Sequence, residues 1–288
     1  MRFALTEEQA GFAEALTDLM RAADSVQVAR AWAAGDTAPG QDLWKRLADL
    51  GVTALVVPES AGGLGGTLVD LTVAFEVLGH ELAVGPWIES AALAPQVDGE
   101  MVTAALPPIA PYAVDAHVAR LLSGTPGPTH PSADGTRTLV EVTGSDPLDD
   151  EAVDRAVLAC SAQLLGAGER LLADSVAYAR QRRQFGREIG SYQAVKHQLA
   201  DVRIGLDFAR PVVHGAALGE VPASAAKVAA ADAAYRAARV ALQVHGAIGY
   251  TREFDLGLWI LRVRALLSAW GTPAYHRARV LERLVGEV

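Results

Sequence analysis

The chain has 288 residues, 51% hydrophobic and 20% charged, with a formal net charge of −9. That balance suits a globular core and excludes a disordered chain; the negative charge argues against nucleic acid, whose phosphates need a clustered basic surface. The single cysteine, Cys160, excludes an internal disulfide and fits a reducing, cytoplasmic setting.

The start, Met1 to Gln9, carries Glu7 and Glu8 and no long apolar run, so no leader is expected. No stretch approaches about 20 uninterrupted strongly apolar residues, the length of a membrane span. Thr6 and Gln9 have capping-box spacing, and Phe12, Ala15, Leu16 and Leu19 follow at helical spacing. Leu43, Leu47 and Leu50 form a second stripe, stopped by Gly51. Val52 to Val57 is short and rich in β-branched residues. The glycine-rich loop Gly62 to Gly66 precedes a helical pattern from Leu68 to Leu82. Residues 1–95 therefore read as an N-terminal helical domain.

Residues 96–150 differ. Eight of the 14 prolines lie between Pro95 and Pro147, a density few helices survive. Strands are expected at Met101–Leu106, Tyr112–Leu122 and Arg137–Thr143, in a small β-rich segment. From residue 151 to 288 the pattern is helical again. An Ala/Leu-rich helix carries Val153, Val157, Cys160, Leu164 and Leu165 towards Arg180. A second covers Tyr192 to Ala217. Pro222 opens a third that ends near His245 with Gly246 as its cap. Asp255 to Trp270 is a fourth, and Pro273 opens a last. The fold class is mainly α.

Several chemistries find no support. Gly62 to Gly66 lacks the Lys-Ser/Thr of a P-loop, no GxGxxG follows a strand, and the seven histidines show no metal spacing. The informative stretch is Arg182-Arg183-Gln184-Phe185-Gly186-Arg187-Glu188-Ile189-Gly190-Ser191-Tyr192-Gln193. A guanidinium can grip a pyrophosphate through paired, charge-assisted bonds, an aromatic ring can stack on adenine, and a glutamine can pair with its edge. Residue by residue the choice stays open, with the ordinary reading the commoner one: a phenylalanine such as Phe185 is more often core, and a glutamine such as Gln193 more often solvated surface.

This stretch, continued to Ala200 and Asp201, closely resembles the R-x-x-F-G-x-x-I-x-x-x-Q-x-x-x-x-x-x-A-D motif of acyl-CoA dehydrogenases. Gln243-Val244-His245-Gly246-Ala247-Ile248-Gly249-Tyr250 is similar to a second motif of that family, Q-x-x-G-G-x-G-Y, and Pro58-Glu59 with Gly62, Gly63 and Gly65 to a third. The resemblance implies an N-terminal helical domain, a middle β domain and a C-terminal four-helix bundle. It implies FAD as cofactor and an acyl-CoA substrate, with a glutamate taking the α-proton while hydride leaves the β-carbon. Carried over by motif, Arg182, Gln243 and Gly246 hold the FAD pyrophosphate. Gln184, Phe185 and Gly186 flank the adenosine, Gln193 lies near the adenine, and Thr272 lies near the flavin. In the family the motif arm serves a neighbouring subunit's FAD.

Three departures stand out. Where many members carry Glu-Gly-Thr, this chain reads Trp270-Gly271-Thr272, and an indole cannot accept a proton. Asp154 stands where some relatives place the base, one methylene short of glutamate. The β segment is about half the length the resemblance implies, and Ala247 and Ala274 replace a glycine and a flavin-contacting glutamine. The pattern resembles the degenerate subunits of α2β2 heteromeric members, several of which act on CoA thioesters of steroid side chains. It implies no catalytic residue in this chain, a homologous catalytic subunit as partner, and an acceptor such as an electron-transfer flavoprotein. Two alternatives remain: a self-sufficient dehydrogenase using Asp154, and a flavin-free structural relative.

Overall fold

A computed structural model describes residues 4–251, without the side chain of Tyr250, and residues 253–286. Met1–Phe3 of the expected leader-free start lie outside the described residues, as do Arg252, Glu287 and Val288.

Four helices open the chain: α1 (Glu7–Ala22), α2 (Ser25–Ala33), α3 (Ala38–Asp49) and α4 (Leu68–His80). The capping box of α1 forms as its spacing requires, with the Thr6 hydroxyl accepting from the Gln9 amide. The Gln9 side chain also donates to Asp70 Oδ1 at 2.8 Å, inside the Thr67/Asp70 capping box of α4. Two helix starts are thereby tied together. Val52–Val57 forms turns, and Gly65 and Gly66 fold back onto the carbonyls of Val57 and Leu55, making the glycine loop a structural turn. After α4, Ile88–Leu93 winds into a π-helical turn.

The middle segment contains β1 (Val102–Thr103), β2 (Tyr112–Val114), β3 (Arg120–Leu121), β4 (Thr125–Pro131) and β5 (Thr138–Thr143). Two expected strands are shorter than their patterns. Met101–Leu106 forms a strand only at β1, with one isolated bridge from Leu106 to Ala110, and Tyr112–Leu122 breaks at Asp115, whose φ of 55° ends the extended run. The β4 strand was not among the expected strands, and it holds three prolines. The antiparallel order β2-β5-β4 explains it: β4 lies at the edge, where a missing N–H leaves no ladder bond unmade.

The rest is α5 (Asp150–Gln181), a hairpin of β6 (Arg183–Gln184) and β7 (Arg187–Glu188), α6 (Gln193–Ala217), α7 (Ala223–His245), α8 (Leu256–Ser268) and α9 (Pro273–Gly286). One core runs from the N-terminal helices into this bundle. By length and composition α5 is apolar enough to cross a membrane, but 83% of that window is buried inside the protein. It packs on α4, α6, α7 and α8. The α4–α5 crossing is close because it is built on glycine: a Cβ on Gly79 would strike the Gln163 carbonyl, and one on Gly166 the Glu76 carbonyl. Ala226, Ala230, Ala234, Ala237 and Ala241 give α7 a small-residue face for its neighbours.

Candidate functional site

Two regions carry chemistry. The first is a cavity of about 910 Å³ between the β segment and the start of α9. Glu89 of the π-helical turn, Tyr112 and Arg137 of the β segment, and Trp270 and Thr272 of the α8–α9 loop line it. Trp270 is 1% exposed and has a φ of 54°, a left-handed conformation that bulky side chains rarely adopt. Such strain persists only where the surroundings over-determine it.

Four contacts do so. The Trp270 indole N–H donates to Glu89 Oε1 at 3.2 Å, and the Gly271 amide donates to the Ile109 carbonyl at 3.1 Å. His276 Nε2 lies 2.8 Å from the Trp270 carbonyl, which can only accept, so that nitrogen carries the proton and Nδ1 accepts from Ser224 Oγ. Lys227 Nζ reaches the carbonyls of Leu266 and Ala269, both at 2.7 Å, and Cys160 Sγ at 3.0 Å. These bonds fix the end of α8 just before Trp270.

Burial dominates the electrostatics of this frame. It pushes the Glu89 carboxyl up, against the field of Arg137, and pushes the Lys227 ammonium down. It also lowers His276 to about 4, with the charges of Lys227 and Arg279 acting in the same sense. At Trp270, the position the resemblance assigns to a base, the indole N–H is thus spent on Glu89. Thr272 is exposed, and its hydroxyl accepts from the Tyr275 amide at 3.2 Å. Asp154 is half-buried and paired with Arg279 at 3.1 Å, and the described lining of the cavity does not include it.

The second region is the β6–β7 hairpin. Arg182 caps α5, and its carbonyl accepts from Ile189 across the hairpin's base. Phe185 and Gly186 form the tip with φ of 52° and 81°, leaving the Phe185 ring 90% exposed. Arg182, Gln184 and Gln193 are exposed beside it. Arg187 stacks 3.9 Å over the Tyr192 ring, which stiffens the tip. Gln243 is exposed near the end of α7, and Gly246 caps that helix at φ 62°, ψ −137°, a conformation that requires glycine. The Tyr178 and His245 rings stack at 4.3 Å. Through that contact the Gln243–Gly246 motif meets the turn of α5 just before Arg182.

The hairpin therefore has the chemistry for an adenosine diphosphate moiety: an exposed guanidinium, an exposed aromatic face and an open glycine cap, where a Cβ would meet nothing. His245 adds a buried Nε2 with no hydrogen-bond partner at the same place. The two regions lie at different positions along α7. The cavity lining on this helix extends to Tyr235 and the hairpin-side motif begins at Gln243, about 12 Å further along at about 1.5 Å per residue.

The sequence motifs did not reveal Glu89, Arg137, Lys227 or His276. They lie in four distant segments, and each has an ordinary neighbourhood in sequence. Among the described residues, no group of three His, Cys, Asp or Glu side chains is placed to hold a metal.

Comparison with known proteins follows the same division. A family model described as acyl-CoA dehydrogenase, C-terminal domain, matches residues 150–285, and the corresponding N-terminal domain model matches residues 6–111. The acyl-CoA dehydrogenase IpdE2 of Mycobacterium tuberculosis is 32% identical, over 98% of this chain and 98% of that one. Among solved structures, the ChsE4-ChsE5 complex from Mycobacterium tuberculosis matches with a TM-score of 0.81 at 22% identity, covering 99% of each chain. The Tcur3481-Tcur3483 steroid ACAD matches with a TM-score of 0.79 at 22% identity, covering 98% of each. At that identity the structural matches establish the fold.

Proposed function

The chain belongs to the acyl-CoA dehydrogenase family, and on that premise we propose that it is the base-lacking subunit of a heteromeric, FAD-dependent enzyme. One observation carries the reading: Trp270 holds the base position with its only polar atom donating to Glu89, while the Arg182–Gln193 arm stands exposed. An aromatic ring 90% exposed on a strained, stiffened tip suits a surface covered by a partner. The similarity to two-chain complexes supports the same assembly.

Members of the family are FAD flavoproteins, and bound FAD accepts the hydride removed from the acyl β-carbon. In the proposed complex this chain contributes binding and order. Arg182 takes the pyrophosphate charge, with Gln243 and the open Gly246 cap beside it. Phe185 with Gly186 offers the adenine a stacking face, and Gln184 and Gln193 supply amides for the adenosine. Thr272 lines the cavity beside Trp270 rather than the hairpin, and has no part in the partner's FAD site in this reading. The α-proton is removed by the homologous catalytic subunit, and electrons leave to an acceptor such as an electron-transfer flavoprotein. The assigned substrate is an acyl-CoA with a steroid-derived acyl group, a choice supported by the likeness to a steroid ACAD.

The test is stoichiometry. Co-purified with its catalytic partner, the chain is expected to give one flavin per heterodimer, and Arg182→Ala to lower that occupancy. Two flavins per heterodimer would refute the proposal. A self-sufficient enzyme using Asp154 would turn over acyl-CoA alone and lose that activity in Asp154→Asn; the Asp154–Arg279 pair, outside the cavity lining, favours the first reading. A flavin-free relative would show no flavin dependence on Arg182 at all.

A further inference from the structure

The cavity beside Trp270 lacks a proton acceptor at the family's position, yet it keeps the size and the polar equipment of a ligand site. We propose that it binds an apolar molecule bearing one carboxylate, which Arg137 holds through a two-pronged ion pair, and that no dehydrogenation occurs there. This stands apart from the heteromer reading, because it rests on the cavity alone.

Size comes first. About 910 Å³ lies within the range that encloses a small organic ligand. Pro108, Ile109, Leu139 and Leu267 give it apolar walls.

The polar anchor is Arg137. Its side chain is half-buried and lines both this cavity and a small pocket behind it that Arg262 also lines. The two arginines differ sharply. Arg262 spends its donors on Asp134, Thr136 and the Ala83 carbonyl. The Arg137 guanidinium makes no hydrogen bond or ion pair with any described residue. It carries five N–H donors, stays charged in any protein, and suits a carboxylate two bonds at a time.

The nearby carboxyls each have one oxygen engaged, and Asp115 Oδ2 is buried with no partner. Glu89 Oε1 accepts from Trp270, and Asp115 Oδ1 accepts from the Thr138 amide. Both feel the field of Arg137 without pairing with it. With Glu89 buried on the same wall, a singly charged carboxylate suits the site better than a doubly charged phosphate. Exposed Arg264 at the rim adds a second positive charge along the entry path.

The probe is cholate, an apolar ring body with one carboxylate, compared with its uncharged methyl ester by calorimetry on the full chain. Cholate is expected to bind once per chain. The ester, and cholate on Arg137→Gln, should bind roughly 10- to 100-fold more weakly, the usual range for losing a charged hydrogen-bonded pair. Arg137→Lys should recover part of the loss, since an ammonium cannot form the paired bonds. If Arg137→Gln fails to fold, the acid and ester comparison on the unaltered chain decides. Equal affinity for acid and ester, or no binding of cholate, would overturn the proposal. So would FAD bound to the isolated chain and displaced by cholate, because the cavity would then be a flavin site.

Discussion

Acid should loosen the frame behind Trp270, and substituting Asp115 should make the effect visible. His276 is completely buried, donates to the Trp270 carbonyl and accepts from Ser224. Burial, then the charges of Lys227 and Arg279, hold it at about 4 against the usual 6.5, while Asp154 pulls the other way. Between those values the unfolded chain binds a proton that the folded chain refuses, so stability falls as pH falls. At about 1.36 kcal/mol per pH unit the full window is worth about 3 kcal/mol.

Asp115 works in the opposite sense. Burial, the largest influence on it, raises its carboxyl from 3.8 to about 6. The folded chain keeps a proton that the unfolded chain has lost, so this contribution is complete below 3.8 and vanishes as pH rises to about 6. Over pH 6 to 4.5 it is worth about 2 kcal/mol, which masks most of the histidine effect. Asp115→Asn removes the titration, keeps an acceptor for the Thr138 amide, and suits the left-handed φ of 55°. Urea unfolding at pH 7 and 4.5 should show the variant losing about 2 kcal/mol more than the unaltered protein on acidification. Groups remote from Asp115 titrate alike in both proteins and cancel in the comparison, while Glu89, pushed up by burial and further by the Asp115 charge, moves back toward its usual range in the variant. Equal losses would refute the reasoning about Asp115, and a variant that loses no stability on acidification would refute that about His276.

Two further predictions concern the frame of the fold. Gly166→Ala should destabilise the chain by about 1–3 kcal/mol in urea melts, because the new methyl must displace the Glu76 backbone at the α4–α5 crossing. Asp134→Ala should cost about 3–5 kcal/mol in the same assay, since it leaves the buried Arg262 guanidinium without its counter-ion.

Legibility in the sequence followed the range of the interactions. Helix α7 could be read from Pro222 to Gly246 because its start and cap are local chemistry, and the capping box at Thr6 and Gln9 forms for the same reason. The Arg182–Gln193 arm was legible because its groups are neighbours along the chain. Its exposure was not, because a phenylalanine is more often buried in a core than left exposed. Position in a sheet was likewise hidden: β4, with its three prolines, was not expected, and its place at the edge is where prolines are tolerated.

By itself, then, the sequence determined the mainly helical class, the helix limits set by caps, and the presence of an indole rather than a carboxylate at Trp270, since those follow from side-chain type and near neighbours. Only the tertiary structure decided that Trp270 would be held left-handed against Glu89, that Lys227 and His276 would brace it, and that Arg137 would line a cavity with its donors free. Those groups come from segments around residues 89, 137, 227, 270 and 276, and only chain packing gathers them around Trp270 and its cavity.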